Sequence, residues 1–165
     1  MRGSDVDAAL YWLARMVEAG EDPLFIARRL VITAAEDVGL ADPTALQLAV
    51  AAQQAVHFLG MPEGRLALAE ATVYLARAPK SNASYMALNR AQELVRERGI
   101  LTPPGELRSA AYAGARKLGR GNGYLYPHEN PEGFAFDCLP EPIRGKVLFT
   151  PSGNGVEQAK PRGAN

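Results

Sequence analysis

The sequence predicts an all-α protein, a helical array or bundle of about six helices followed by a Gly/Pro-rich arm. Chain breakers recur at nearly constant intervals, at Gly20, Gly39, Gly60, Pro79, Gly99 and Gly119. The segments between them place apolar residues at helical spacing, and after Gly119 that period disappears. An interval of about 20 residues holds a helix of four to five turns plus a short connection.

The elements follow in order. The first helix is expected after Ser4, whose hydroxyl can cap, with Asp7 three residues on, and Val6, Leu10, Leu13 and Val17 form its stripe. Asp22-Pro23 and Asp42-Pro43 each put a capping oxygen before a proline at the first helical position, where the missing amide hydrogen has no partner to lose. The second helix carries Ile26, Leu30 and Ala34 on one face, with Val31 and Val38 beside it. Leu48, Ala52, Ala55, Val56 and Leu59 mark the third, and Leu66, Ala69, Val73 and Ala76 the fourth. Both are rich in alanine, which favours helix and lets neighbouring backbones approach closely, so they read as central helices buried by the others or by another subunit. A fifth, from about Asn82 to Arg98, carries Leu88, Ala91 and Val95; a sixth, after Pro104, carries Leu107, Ala111 and Leu118.

From 119 to 151 the chain is crowded with Gly and Pro and reads as an ordered arm with at most a short β-hairpin, in which "FAFDCL" alternates Phe134, Phe136 and Cys138 and "KVLFT" could pair with it. Residues 152–165 read as a polar tail.

Composition narrows the chemistry. At 165 residues with 47% apolar content the chain can build a core. Its 18 basic and 18 acidic side chains cancel overall, but residues 1–60 carry −4, 61–128 carry +5 and the remainder −1. Opposite signs on one chain suit head-to-tail self-association, a basic face for polyanions, or internal neutralisation. One cysteine, Cys138, allows no intrachain disulfide and no cysteine cage, and no segment reaches the roughly 20 apolar residues of a membrane span. The chain is therefore expected in the cytoplasm, away from membranes.

No catalytic residue set and no metal site is expected. There is no GxxxxGK[ST] phosphate loop and no nucleophile signature, and His57 and His128 read as structural, His57 as half-buried packing. "GRGNG" offers unobstructed amides that could cradle a phosphate, although its place after a helix reads as a helix stop. Arg108, Arg116, Lys117 and Arg120, followed by Tyr124 and Tyr126, mix positive charge with rings able to stack on bases, the mixture used by single-strand sites. Basic residues at a helix end also follow from the helix dipole. Arg28 and Arg29 sit seven or eight positions before Glu36 and Asp37, too far for a local pair, so these four are expected to contact other helices or another subunit.

"RGSDVDAALYWLARMVEAGEDPLFIARRLVITAAEDVGLADPTALQLAVAA", "GMPEGRLALAEATVYLARAPKSNASYMALNRA", "KLGRGNGYLYPHENPEGF" and "LPEPIRGKVLFTPSGNGVE" closely resemble the C-terminal part of the replication-associated recombination protein A family, also called maintenance of genome stability protein A. These are bacterial AAA+ ATPases. The resemblance covers nearly the whole chain and implies a fragment: residues 1–20 as the last lid helix or a linker, 21–118 as a helical oligomerisation domain similar to clamp-loader collars, then the arm and tail. It implies a homotetramer of a DNA-dependent ATPase acting in replication, recombination and repair at stalled forks, with DNA and single-stranded-DNA-binding protein as the parent's partners and a nucleoid location. ATP and magnesium belong, on this reading, to the ATPase domain of the parent, and this fragment takes no cofactor.

Overall fold

A computed structural model describes residues 1–109, 111, 114–130 and 137–157, apart from the side chain of Arg116. These form two compact units, Met1–Leu88 with 149–157, and Asn89–Leu148. The class is all-helical: the α-helices are α1 (Val6–Glu18), α2 (Pro23–Thr33), α3 (Thr44–Leu59), α4 (Gly64–Arg77) and α5 (Ala83–Arg98). Among the described residues none of them is long and apolar enough to cross a membrane.

In the first unit the helix starts are set by aspartates. Asp5, rather than Ser4, caps α1 by accepting from the Ala8 amide at 2.9 Å, while Ser4 turns into the chain's left-handed region at φ 57°. The carboxylate of Asp22 accepts from the amides of Leu24 and Phe25 at 3.0 and 3.1 Å, with Pro23 opening α2. Asp42 accepts from Thr44 at 3.1 Å at the start of α3. A π-turn (Ala34–Val38) and a 3-10 turn (Gly39–Ala41) join α2 to α3.

The core is made by Leu13 of α1, Ile26, Ala27 and Leu30 of α2, Ala45, Ala49, Ala52 and Val56 of α3, and Leu68, Ala71 and Leu75 of α4. α4 touches α1, α2 and α3, which makes α3 and α4 the central pair. The stripe expected on α2 is the one buried, with Val31 half-buried beside it; on α1 Leu13 is buried and Val6, Leu10 and Val17 are half-buried. On α4 the buried face is Leu68, Ala71, Thr72, Leu75 and Ala76, and the expected Leu66 is 68% exposed. On α3 the buried face is its smallest one, and Leu59 lies outside. The physical reason is close approach: at the base of the α3–α4 hairpin a Cβ on Gly64 would lie only 3.3 Å from the Val56 Cα. Helices this close admit alanine on the α3 side, opposite the buried Leu68 and Leu75 of α4.

In the second unit the latter part of α5 is followed by 3-10 turns at Gly105–Leu107, Arg116–Leu118 and Glu141–Ile143. The segment after Pro104 was expected to be a sixth helix. Its described residues hold only the first two of these turns, because Arg108 is extended (ψ 139°) and Gly114 is left-handed (φ 89°). The pairing proposed for "FAFDCL" involves Phe134 and Phe136, which lie outside the described residues; those that are described contain no strand. Arg90 donates to the Leu148 carbonyl at 2.9 Å, and the Gly121 amide to the Gly105 carbonyl at 2.9 Å.

Deleting the Leu68 side chain by alanine is expected to lower unfolding stability by about 3 kcal/mol, the scale of a buried leucine, whereas Leu66→Ala should change it by less than about 0.5 kcal/mol in the dissociated chain. Urea titrations of the two variants check which face of α4 is inside.

Candidate functional site

Of the four charges flagged on α2 and the turn after it, one is used within its own helix and two reach a distant segment of the chain. Arg28 returns to its own helix start, 3.3 Å from Asp22, with its guanidinium 6.0 Å from the Phe25 ring centre. Glu36 and Asp37 are both held by Arg2, at 3.2 and 2.5 Å, and the hydrogen bond to Asp37 is the first reason the Arg2 guanidinium sits above its ordinary value. Arg29 is exposed and has no partner among the described residues. The acids thus tie the turn after α2 to the segment before α1.

Around this turn lies a polar cluster that no local pattern announced. The Ser81 amide donates to the Asp37 carbonyl at 2.9 Å, and Gly39 passes so close that a Cβ there would sit 2.6 Å from the Ser81 carbonyl oxygen. Lys80 donates to the carbonyls of Ala78 (2.5 Å) and Ala76 (3.2 Å) at the end of α4, and to Ser4 Oγ at 3.2 Å. Burial lowers the Lys80 pKa, with Asp37 opposing it. On α4, Tyr74 donates to Asp42 at 2.7 Å; that bond, then burial, raises the Tyr74 pKa. Tyr74, Val73, Arg77 and Leu10 line an open groove of about 740 Å³.

The segment expected to be a polar tail is held here as far as Glu157. Asn154 Nδ2 donates to the Lys80 carbonyl at 2.9 Å and the Val156 amide to the Ala41 carbonyl at 2.9 Å. Gly155 (φ 56°) lies against both loops, so a Cβ there would overlap the Ala41 carbonyl and crowd Pro79 at 2.7 Å. Glu157 is buried, and its Oε2 accepts from Ser81 Oγ (2.7 Å), the Ser152 amide (2.8 Å) and Ser152 Oγ. Burial pushes this carboxyl up, but the hydrogen bonds from Ser152 and Ser81 outweigh it and hold the group below its usual value. Oε1 is buried without a partner among the described residues.

The other notable surface is α3. From Thr44 to Leu59 it contains no Asp, Glu, Lys or Arg, and its outward side carries Leu46, Val50, Phe58 and Leu59, followed by Met61 and Leu66. Phe58 is 87% exposed, and His57, expected to be half-buried, is exposed beside it.

In the second unit, Lys117, Tyr124 and Tyr126 are exposed, and the Tyr126 ring lies 5.2 Å from that of His128. Arg108 donates through Nε to the Pro103 carbonyl at 3.0 Å, and Arg120 is half-buried and engaged. The Arg116 side chain lies outside the described residues. Among them, no group of three His, Cys, Asp or Glu side chains could hold a metal ion.

A family model described as "MgsA AAA+ ATPase C terminal" matches residues 3–163. The chain belongs to this family. It is 50% identical over 159 residues to an AAA domain-containing protein of Mycobacterium tuberculosis, covering 96% of this chain and 35% of that protein. It is 47% identical to the replication-associated recombination protein A of Coxiella burnetii (95% and 36%) and 43% identical to that of Escherichia coli (95% and 36%). The chain thus spans about a third of the length of the curated relatives it matches. Family membership was legible in the long quoted motifs; the Ser81–Glu157 contact was not, since it joins residues 76 positions apart.

Because the folded carboxyl of Glu157 lies below its unfolded value, its contribution to stability is present above the unfolded carboxyl pKa, about 4.3, and is lost as pH falls through the lower folded value. Glu157→Gln is expected to remove about 1–3 kcal/mol at neutral pH and to flatten this acid limb. Chemical unfolding between neutral pH and the acid limb, with hydrogen exchange at Val156, checks it.

Proposed function

We propose that the chain is the assembly module of a AAA+ ATPase acting in replication, recombination and repair at stalled forks, and that it holds four subunits together without being catalytic. The observation that carries this reading is the uncharged α3 with its large apolar side chains outside. A 16-residue helix facing water ordinarily carries charge on its outer side; here exposed apolar residues share that side with the uncharged Gln47, Gln54 and His57, and exposed apolar surface rimmed by polar groups marks an interaction site. An isologous contact between identical neutral faces needs no charged partner. The printed names of the relatives support the replication and recombination setting. ATP and magnesium would be handled by the remainder of the longer protein, which would work on DNA with single-stranded-DNA-binding protein at the nucleoid.

Light scattering is expected to give a mass near four times the 17.7 kDa chain. Placing a charge on the face by Val50→Glu with Phe58→Glu should give the single-chain mass while circular dichroism keeps its helical signal. A wild-type monomer at tens of micromolar would remove the proposal.

A second reading is nucleic-acid contact through Lys117, Arg108, Arg116 and Arg120 with Tyr124 and Tyr126. It is favoured by the half-exposure of both tyrosines beside a basic segment, since stranded tyrosines offer stacking platforms. Labelled single strands should bind with an affinity that falls steeply with salt, as counterion release requires, and Lys117→Ala should reduce the slope of log K against log salt by about 0.7. No anisotropy change at low salt excludes this contact.

A further inference from the structure

The geometry points to the loop Gly119–Gly123 as a binding site for the terminal phosphate of a single-stranded nucleic acid. This inference rests on the nucleic-acid reading above and assigns to the loop a ligand that the basic side chains alone do not specify.

Three observations carry it. Gly119, Gly121 and Gly123 have φ of 71°, 71° and 79°, while Arg120 and Asn122 between them do not enter the left-handed region. The sign of φ therefore alternates through five successive residues, the pattern that turns neighbouring amides toward one side and forms an anion-binding concavity. The loop is braced from behind: the Arg120 amide donates to Ala115 at 3.1 Å and the Gly121 amide to Gly105 at 2.9 Å. Asn122 and Gly123 are exposed residues, and their amides donate to no acceptor among the described residues. A helix stop needs one left-handed residue; the second and third, with two amides that donate to no acceptor among the described residues, exceed that need.

The flanking residues define the ligand. Lys117 precedes the loop and supplies positive charge, and Tyr124 follows it directly with its ring half-exposed. The acid nearest the loop, Glu106, has its Cγ 3.9 Å from where a Gly123 Cβ would stand, and its carboxylate is turned to Arg144 at 3.7 Å. A phosphate on two backbone amides with an aromatic ring at the next residue matches a nucleotide, with the base stacking on Tyr124. A terminal monoester presents three unlinked oxygens to a concave cradle and more charge than a diester inside a strand.

Amide resonances of the full chain, followed during titration with inorganic phosphate, 5′-phosphorylated oligothymidylate and 5′-hydroxyl oligothymidylate, test this. The phosphorylated strand is expected to shift the Asn122 and Gly123 amides and to bind about tenfold more tightly than the hydroxyl strand, the scale of one charge-assisted hydrogen bond. Inorganic phosphate should shift the same amides at higher concentration. Tyr124→Ala should weaken the phosphorylated strand and leave the phosphate shifts in place, and Gly121→Ala should abolish both. Equal binding of the two strands overturns the phosphate site while leaving nucleic-acid contact standing. Shifts with phosphate alone, and none with the phosphorylated strand, overturn the strand end as ligand. No response and no binding by any of the three overturns both readings.

Discussion

The close packing of α3 on α4 is the constraint from which the rest of the first unit follows. Ala45, Ala49 and Ala52 face inward, fully or almost fully enclosed, so the helices approach to a separation that larger side chains would prevent. Choosing the small face for the core leaves Leu46, Val50 and Phe58 outside on the same helix. Each large apolar side chain left in water forgoes about 1.5–3 kcal/mol of burial. The monomer fold therefore creates the surface that a second chain would cover, and the two properties cannot be tuned independently.

A different kind of constraint closes the other end of the unit. The turn after α2, the loop after α4 and residues 152–157 meet through backbone hydrogen bonds, Lys80 and the buried Glu157. These three segments all belong to the first unit, which the chain leaves within α5 and re-enters at 149. A buried carboxylate held by two serines demands defined geometry, and Gly39 and Gly155 are the residues that let three backbones come that close.

Local signals were legible where local chemistry decides. Asp22-Pro23 begins α2 as its sequence pattern predicts, and Ile26, Leu30, Ala34 and Val38 are all buried. On α3 the expected Ala52 and Val56 are buried and only Leu59 falls outside, whereas on α4 the expected Leu66 is exposed and only Ala76 of that stripe is buried, because this helix offers apolar residues on several sides. A similar limit applies after Pro104: Leu107, Ala111 and Leu118 recur at helical spacing, but Gly114 and the extended Arg108 interrupt the helix. His57 reads as packing from its neighbour Phe58, yet that neighbour is itself outside. Of the candidate residues, Glu36 and Asp37 do reach another segment of the chain, whereas Arg28 serves its own helix, because its long side chain reaches back six positions to Asp22.

The charge asymmetry along the sequence resolves in the same terms. Most acids in residues 1–60 are engaged at home: Asp5, Asp22 and Asp42 accept from helix-start amides, and Glu36 and Asp37 hold Arg2. Such acids are fixed by hydrogen bonds whose loss would fray a helix or free a turn, so they are poorly placed to serve as a docking patch for a basic segment of another chain. The arginines that pair with these acids, Arg2 and Arg28, lie in the same stretch, so residues 1–60 keep their net −4 while most of their acids are engaged. Among the described residues the outer side of α3 is a surface without charge, and an association built there draws on apolar burial, which added salt strengthens or leaves unchanged instead of screening away.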